Sequence, residues 1–514
     1  MKKLLRIHLN AKAFSLSALP DTYVNLGGRA LTSRLLAEEV PPACDPWGDD
    51  NKLVFAAGIL AGTAVPNSGR LSIGAKSPLT GAIAESNAGG SAAEKMARLG
   101  IQAIVCEGRA EEPVVIKVSR EGATFVSANA VSLFGNQACL AHCQQQYGDG
   151  VAVISIGPAA EMQLRAATIA VSSPALPLAM AGQGGVAAVM GAKKVKMLII
   201  DDSDGAPVEI IEQALFDISL QSFRDGLLAR HCRQGGAVEG LDRVGRPVFS
   251  TDDHEALFVL GANCMIDDAD LLARMGAACR DIGLDIMEVG GAIAMGMEGG
   301  LLPWGDGSRA LAVVEAIGKG TELGRMFGNG RRAVAEHCRL NEQAADSDHR
   351  CQANPSPVHR EGDPARAAGL DHREAESSPG SGHPCGQSMS GRDQAWAAEC
   401  LQRHFAAIDS LGLCRFAAPP PLEEPELRRH LIDCVSAVLD ESLDDQYLLR
   451  LGATVREEEL KYARKVGLGS EENCLPDSWG GASALSRAIL GPGPSEEVEM
   501  VQKYSFNPQQ RSTP

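Results

Sequence analysis

The first two hundred residues alternate short apolar runs with turn-forming residues. Leu4 to Leu9, Leu53 to Ala57, Ala103 to Cys106, Val114 to Val118, Val151 to Ile156 and Lys196 to Ile200 are strand-length stretches bounded by Gly, Pro, Ser and Asn. Helical stretches such as Gly90 to Leu99 intervene, so residues 1–204 read as a strand-rich unit with long glycine-rich connections. Across 205–339 the apolar spacing turns helical, as in Asp268 to Cys279, Ala292 to Glu298 and Arg309 to Ile317. Between 340 and 392 polar residues, Pro, Gly, Ser and His dominate, and such a composition supplies too little apolar surface for a core. Helical patterning returns within 393–514, at Ala395 to Leu413, Pro425 to Leu439 and Glu457 to Val466, then fades into a polar tail. The pattern predicts an α+β fold in which strands come first, helices follow, and a linker divides the helical part. No repeat of solenoid length is evident.

A length of 514 residues exceeds what one hydrophobic core serves, so two or three domains are expected. The net charge of −17, with no offsetting Lys/Arg run, repels phosphate backbones and anionic lipid, which argues against nucleic acid and membrane partners. Met1-Lys-Lys-Leu-Leu-Arg-Ile-His-Leu-Asn10 alternates as a strand does and lacks the unbroken apolar stretch of a secretory signal. The most apolar stretches, Val54 to Val65 and Pro174 to Val189, are too short or too rich in Gly to span a bilayer. Fourteen dispersed cysteines suit reduced thiols or thiolate ligands in a cytoplasmic protein better than a disulfide framework.

Three glycine-bearing segments carry candidate chemistry: Pro66-Asn-Ser-Gly-Arg70, Lys76-Ser-Pro-Leu-Thr-Gly81 and Glu85-Ser-Asn-Ala-Gly-Gly90. Glycine permits close backbone approach, Asn and Ser donate from short side chains, and the helix start that follows favours an anion. The segments suit a phosphorylated cofactor, and equally a set of structural turns. A further loop, Ala181-Gly-Gln-Gly-Gly-Val-Ala-Ala-Val-Met-Gly-Ala-Lys-Lys194, runs from glycines into a small-residue helix. It matches neither the P-loop nor the dinucleotide fingerprint, and a tight packing turn is its plain alternative. Cys139-Leu-Ala-His-Cys143 has no second ligand pair at zinc spacing, and Cys232, Cys264, Cys279, Cys338, Cys351, Cys385 and Cys400 form no C-x-x-C array.

These segments resemble, in order and wording, the amino-terminal domain of the tungsten-containing aldehyde:ferredoxin oxidoreductases. The resemblance runs from Asn51-Lys-Leu-Val-Phe-Ala-Ala-Gly58 through Gly81, Asn87 and Gly90 to Gly100-Ile-Gln-Ala-Ile-Val-Cys-Glu-Gly108. It continues through Ile156-Gly-Pro-Ala-Ala-Glu161 and the Gly182 to Lys194 loop. It implies a strand-rich base carrying two pterin groups, with mainly helical second and third domains. Arg70 and Asn87 are then the candidate pterin or phosphate contacts, beside the backbones at Gly89, Gly90, Gly184 and Gly185. The family carries a D-x-x-G-L-(D/C) motif in each helical domain, one per pterin. The third-domain copy is Asp409-Ser-Leu-Gly-Leu-Cys414, which brings in Asp409 and Leu413. The second-domain copy reads Arg280-Asp-Ile-Gly-Leu-Asp285, with Arg280 at the leading acid and Asp281 as a neighbouring substitute, followed by Asp285. Without the resemblance either copy is simply a glycine-capped helix end.

The resemblance also implies aldehyde oxidation to a carboxylic acid at tungsten or molybdenum held by pterin dithiolenes, with electrons leaving through a [4Fe-4S] cluster to ferredoxin or an iron-sulfur partner subunit. Glu255 falls where the family has an acid near the metal, its alternative being a solvated helix-start Glu. His383, after a Ser-Pro-Gly loop, corresponds to the family's active-site His or is a surface His. For the cluster, Cys414 matches the last ligand and Cys232 the first. Gly235 and Glu239 stand where two further cysteines belong, and Gln183 stands where the family commonly has Arg. Those departures keep a rival open: a non-catalytic pterin-binding or partner-binding scaffold.

Overall fold

The computed structural model describes residues 2–173, 178–233, 257–340, 391–418 and 424–468. Glu255, His383, nearly all of the expected 340–392 linker and the tail from 469 lie outside the described residues.

Among the described residues twelve strands form two six-stranded sheets. The first comprises β1 (Lys3–His8), β2 (Ala13–Ala18), β3 (Leu53–Ala57), β4 (Leu71–Lys76), β5 (Ile83–Ala88) and β6 (Ile101–Glu107), in the order β2-β1-β6-β3-β4-β5. The second comprises β7 (Val114–Ser119), β8 (Gly122–Ser127), β9 (Ala152–Ile156), β10 (Ile169–Ser172), β11 (Leu178–Ala181) and β12 (Val195–Ile200). Its order, β8-β7-β12-β9-β10-β11, repeats the first strand for strand. So do the directions: β1–β6 and β7–β12 are parallel, and every other pair is antiparallel. Helices α1 (Gly28–Glu39) and α3 (Asn136–Tyr147) follow the second strand of each unit, and α2 (Ala92–Arg98) and α5 (Val186–Ala192) precede the last, while α4 (Pro158–Glu161) follows β9. The amino-terminal region is thus a topological duplication, which divergent side chains conceal in the sequence.

Alternation assigns the two faces of each strand. Leu5, Ile7, Leu53, Phe55, Leu71 and Ile73 of the first sheet share one core with Ile116, Ile154, Ile156, Leu198 and Ile200 of the second. Leu4, Val54, Ala56, Ala103 and Val105 face the other way, under Leu31, Leu35 and Leu36 of α1. Six strands escape the hydrophobic reading. Five of the six residues of β2 are exposed, and β5 places polar Glu85 and Asn87 on one face. β4 mixes Ser, Gly and Lys into a wholly buried strand.

The helices fall into two groups. The shared core extends into α7 (Ala269–Ile282), α8 (Ile286–Glu298), α9 (Gly307–Gly318), α10 (Glu322–Gly328) and α11 (Arg331–Cys338). Asp268, Asp285, Asp306 and Thr321 cap four of them by accepting from first-turn N–H groups. A second core joins α6 (Gln213–Arg233), α12 (Gly391–Leu411) and α13 (Pro425–Leu439) to Ile59, Leu60 and Val65 of the base. α14 (Tyr447–Lys465) lies against α12 and α1. α6 falls in the 205–339 stretch by sequence yet packs on α13, because its buried Phe216, Leu220 and Phe223 belong to this second core. No helix among the described residues is long and apolar enough to cross a membrane.

Each helical group meets the base through glycine against glycine. A Cβ on Gly58 would overlap the backbone of Leu411 and Gly412, and one on Gly157 the backbone of Ile282 and Gly283. Gly58→Ala and Gly157→Ala should each lower stability by about 1–3 kcal/mol, the range for overpacking. Gly150→Ala, at a site with open space, should leave the urea midpoint unchanged.

Candidate functional site

The two G-L motifs dock on the duplicated base at equivalent points. Gly283 (φ 78°) and Gly412 (φ 75°) take left-handed turns that end α7 and α12. The carbonyl of Gly412 accepts from Arg70 N at 3.0 Å, and that of Gly283 accepts from Thr168 N at 2.8 Å. Two residues on, Cys414 N donates to Asn67 O and Asp285 N donates to Ala166 O, both at 2.8 Å. Two residues before each glycine, a side chain accepts from the first turn of a base helix. Ser410 Oγ accepts from Ala30 N at 3.0 Å, and Asp281 Oδ1 from Gln137 N at 3.0 Å.

At the third-domain motif the polar groups converge. The Asp409 carboxylate is fully buried, with Oδ2 3.4 Å from Arg29 Nη1 and 3.7 Å from Arg415 Nη2. Arg29 forks onto Glu459, donating from Nε at 2.9 Å and Nη2 at 3.0 Å. Ser33 Oγ at 2.9 Å and Arg456 Nη1 at 3.1 Å also donate to Glu459. Burial raises the Glu459 carboxyl, but Arg29, Arg456 and Ser33 outweigh it and hold it at about 2. Glu85 behaves oppositely. Burial first, then the neighbouring Asp409, lifts it to about 7 against the pull of Arg29, Ser72 and Arg415. Burial, with Arg428 and Arg415, pushes His404 down to about 3 despite Asp409. Two buried oxygens in this cluster, Asp409 Oδ1 and Glu85 Oε1, have no hydrogen-bond partner. Such an atom costs roughly 1–3 kcal/mol while it stays unpaired, so both await a donor.

Around them stand the remaining sequence candidates. Arg70 Nε donates to Asn87 Oδ1 at 2.5 Å and its Nη2 to Asn87 O at 3.2 Å. Gly89 has open space where a Cβ would lie, whereas Gly90 packs against Val171 and Ser172 of the second unit. Leu413 is buried in the second helical core, so its side chain serves packing. Gln183, Gly184 and Gly185 form a left-handed run with φ of 69°, 68° and 69°. The loop is fixed by Ser86 Oγ donating to Gln183 O and Ser77 Oγ to Gly184 O, both at 2.8 Å. The loops at Ser77 and Gly184 and strand β5 at Ser86 are therefore brought together.

The second-domain motif meets different side chains. By strand register Thr168, Leu178 and Met180 occupy the positions that Arg70, Glu85 and Asn87 hold in the first unit. Arg280 stands where Asp409 does, and its carbonyl accepts from Asn136 Nδ2 at 3.0 Å. Asp281, the neighbouring acid, caps α3 and is thereby turned to the base. Asp285 caps α8, accepting from Met287 N at 2.9 Å and Glu288 N at 3.3 Å, and accepts from Gln183 N at 2.8 Å. Thr168 Oγ1 is buried without a partner. Unpartnered buried atoms at both motifs and the open backbone at Gly89 fit the hydrogen-bonding edge of a polar heterocycle such as a pterin.

Thiolate ligation does not assemble in the same way. Cys414 is half-buried behind its motif, and Cys232 lies in α6 with its side chain outside the described residues. No cysteine occurs between Cys232 and Cys264. Cys264 and Cys279 are packed in the helical core, where burial pushes both thiols up to about 12. Among the described residues no group of three or more His, Cys, Asp and Glu is placed to hold a metal ion. Among the described residues, the four thiolates that a [4Fe-4S] cluster needs are not brought together. Glu255 and His383 lie outside the described residues.

Sequence reasoning missed Glu85, Arg29, Glu459 and Arg415. Glu85 was findable, since it precedes Asn87 by two positions and so shares its face of β5. Arg29 and Glu459 are 430 positions apart, and nothing local links them.

A duplicated base closed by two motif-bearing helical groups defines the α+β class of this protein. Residues 4–202 match the family profile described as aldehyde ferredoxin oxidoreductase, N-terminal domain, and residues 229–504 that of domains 2 and 3. The chain belongs to the aldehyde ferredoxin oxidoreductase family. The tungsten-containing aldehyde ferredoxin oxidoreductase of Pyrococcus furiosus is 30% identical over 331 residues, 53% of this chain and 54% of the relative. That of Pyrococcus horikoshii is 27% identical over 356 residues, 58% of each. The aliphatic sulfonate oxidoreductase, WOR-like subunit, of P. furiosus is 26% identical over 244 residues, 43% of this chain and 38% of the relative. The chain thus matches little more than half the length of its first two relatives. In fold it is similar to the active site complex BamBC of benzoyl coenzyme A reductase with 1,5-dienoyl-CoA. The TM-score is 0.72 at 16% identity, over 98% of this chain and 93% of that one.

The Glu85 shift has a measurable sign. A carboxyl raised to about 7 in the folded chain, from an ordinary value of 4.5, binds its proton more tightly folded than unfolded. Its contribution is fully present below pH 4.5 and is lost as pH rises through 7. Cofactor-free protein should therefore lose up to a few kcal/mol of stability across that window. Glu85→Gln should flatten this part of the pH profile of the denaturation midpoint.

Proposed function

We propose that this chain seats a tungsten or molybdenum bis-pterin on its duplicated base and oxidises an aldehyde to the carboxylic acid. The observation that carries the reading is the pair of G-L motifs docked at equivalent points of the base, with Asp409 Oδ1 buried and unpaired beside one of them. Bound there, the cofactor would supply a two-electron acceptor: the aldehyde loses its C–H bond, gains a C–O bond to oxygen derived from water, and releases two protons and two electrons. The residues of the chain bind and orient. Asp409 is held by Arg29 and Arg415, Arg70 and Asn87 present a donor-rich edge, and the Gly89 and Gly184 backbones allow close approach. Glu255 is the proposed proton acceptor, with His383 the second candidate from the family pattern.

Electrons require a further carrier. Since Gly235 and Glu239 replace cysteines and Cys264 and Cys279 are buried, this chain alone is proposed to hold no stable [4Fe-4S] cluster. Ferredoxin or an iron-sulfur partner subunit would complete the route, and the WOR-like relative is itself named as a subunit. The second reading, a pterin-binding scaffold without turnover, is favoured by Arg280 at the motif acid and by Asp281 spent on the α3 cap.

Elemental analysis of anaerobically purified chain, from cells supplied with both metals, should find tungsten or molybdenum in stoichiometric amount and iron well below four per chain. Absence of both heavy metals would select the scaffold. About four irons, with a reduced-cluster EPR signal, would overturn the cluster argument. In a metal-loaded, active protein Glu255→Gln should retain the metal while lowering aldehyde turnover roughly 10²- to 10⁴-fold. Unchanged turnover would remove Glu255 from the mechanism.

A further inference from the structure

The Asp409 cluster contains more acceptors than its donors use. Arg29, Arg415 and Arg456 face Asp409, Glu459 and Glu85, so every carboxyl of the cluster already has a guanidinium neighbour. His404 and Arg428 complete the surroundings, with His404 neutral in its buried position. With Arg428 counted, guanidinium groups are at least as many as carboxyls, so the cluster does not attract a free cation. What it lacks is hydrogen-bond donors, because Arg29 spends Nε and Nη2 on Glu459 and Nη1 on the far oxygen of Asp409. Asp409 Oδ1 and Glu85 Oε1 remain unsatisfied, on two carboxyls that repel one another directly. β5 also places Glu85 on the face that carries Asn87, two residues from the Gly89 opening.

We propose that Glu85 is a cofactor-binding residue, its Oε1 and Asp409 Oδ1 together accepting two neighbouring N–H groups from one edge of the seated ligand. This rests on the pterin reading above, since the 2-amino-4-oxopyrimidine edge of a pterin offers an amino N–H beside a ring N–H. A neutral edge of that kind satisfies both oxygens without adding a charge to the buried cluster. Apolar Leu178 holds the equivalent position in the second unit, so the contact belongs to one motif only.

The test uses the full chain as wild type, Glu85→Leu and Glu85→Gln. Pterin per chain is measured by oxidative release and fluorescence after expression in pterin-producing cells. Denaturation midpoints at pH 8 are measured on the same chains from cells blocked in pterin synthesis. Glu85→Leu should carry about tenfold less pterin or lower, the loss expected for a buried charge-assisted partner. Glu85→Gln, whose amide oxygen still accepts, should fall between. Cofactor-free Glu85→Leu should unfold at the wild-type midpoint or above it, because an unpaired buried carboxyl has been removed. Equal loading of Glu85→Leu and wild type overturns the assignment. So does a lowered midpoint of the cofactor-free variant, which marks a structural role. Pterin missing from wild type as well overturns the cofactor reading itself, and this assignment with it.

Discussion

Everything in this molecule depends on backbone meeting backbone at Gly58–Gly412 and Gly157–Gly283. A left-handed turn at the end of a helix frees a carbonyl and turns it sideways, and here that carbonyl is spent on the base, at Arg70 N in one unit and Thr168 N in the other. Only residues without a Cβ let the chains approach this closely. The following residue pair is then fixed by a second backbone bond, so each motif is positioned by main chain and not by side-chain identity. That is why Arg280 can replace the leading acid of one copy without moving the motif: its neighbours' hydrogen bonds do not involve its side chain.

The second constraint is electrostatic. Arg29, at the start of α1, is tied to Glu459 on α14 and Asp409 on α12, joining the base to two carboxy-terminal helices in one buried network. Buried ion pairs are weak sources of net stability, since desolvation offsets most of the attraction, but they are costly to break and they fix geometry. Here the geometry fixed is that of Asp409. Glu459 is held ionised by two arginines and Ser33, while Glu85, a few residues of β-strand away from Arg70, is held near neutrality by its own burial.

Much of the fold was legible because strands and helices here obey their periods. β1, β3, β6, β7, β9 and β12 are interior strands whose apolar residues, continuous or alternating, fit a strand period, and the pattern picks out these. The missed strands lie at or beside the sheet edges, where β2 is exposed and β5 carries the polar face of the site. The duplication was hidden for the same reason. What repeats is strand order and turn geometry, while Arg70, Glu85 and Asn87 have diverged to Thr168, Leu178 and Met180. The glycine loops and both G-L motifs were visible as wording, but their partners in space were not. Arg29 and Glu459 could be read from no local signal, and Asp281 could be placed only once the start of α3 was seen to rest on it.

The duplication also explains why the two motifs need not do equal work. Backbone anchors are shared, so both ends of the base offer a bound group the same surface of turns and glycines. Side chains are not shared. The Asp409 end supplies buried acceptors and the Arg70–Asn87 pair, and the Arg280 end supplies Thr168 and two apolar residues. On the proposed function, the end at Asp409 therefore provides directional hydrogen bonds that set orientation, whereas the other provides shape and main-chain contacts. Charge-assisted hydrogen bonds in a buried site are stronger than neutral ones and more sensitive to geometry. On that reading a cofactor spanning both ends would be registered from the Asp409 side, and substitutions there should be felt across the whole site while those at Leu178 or Met180 remain local.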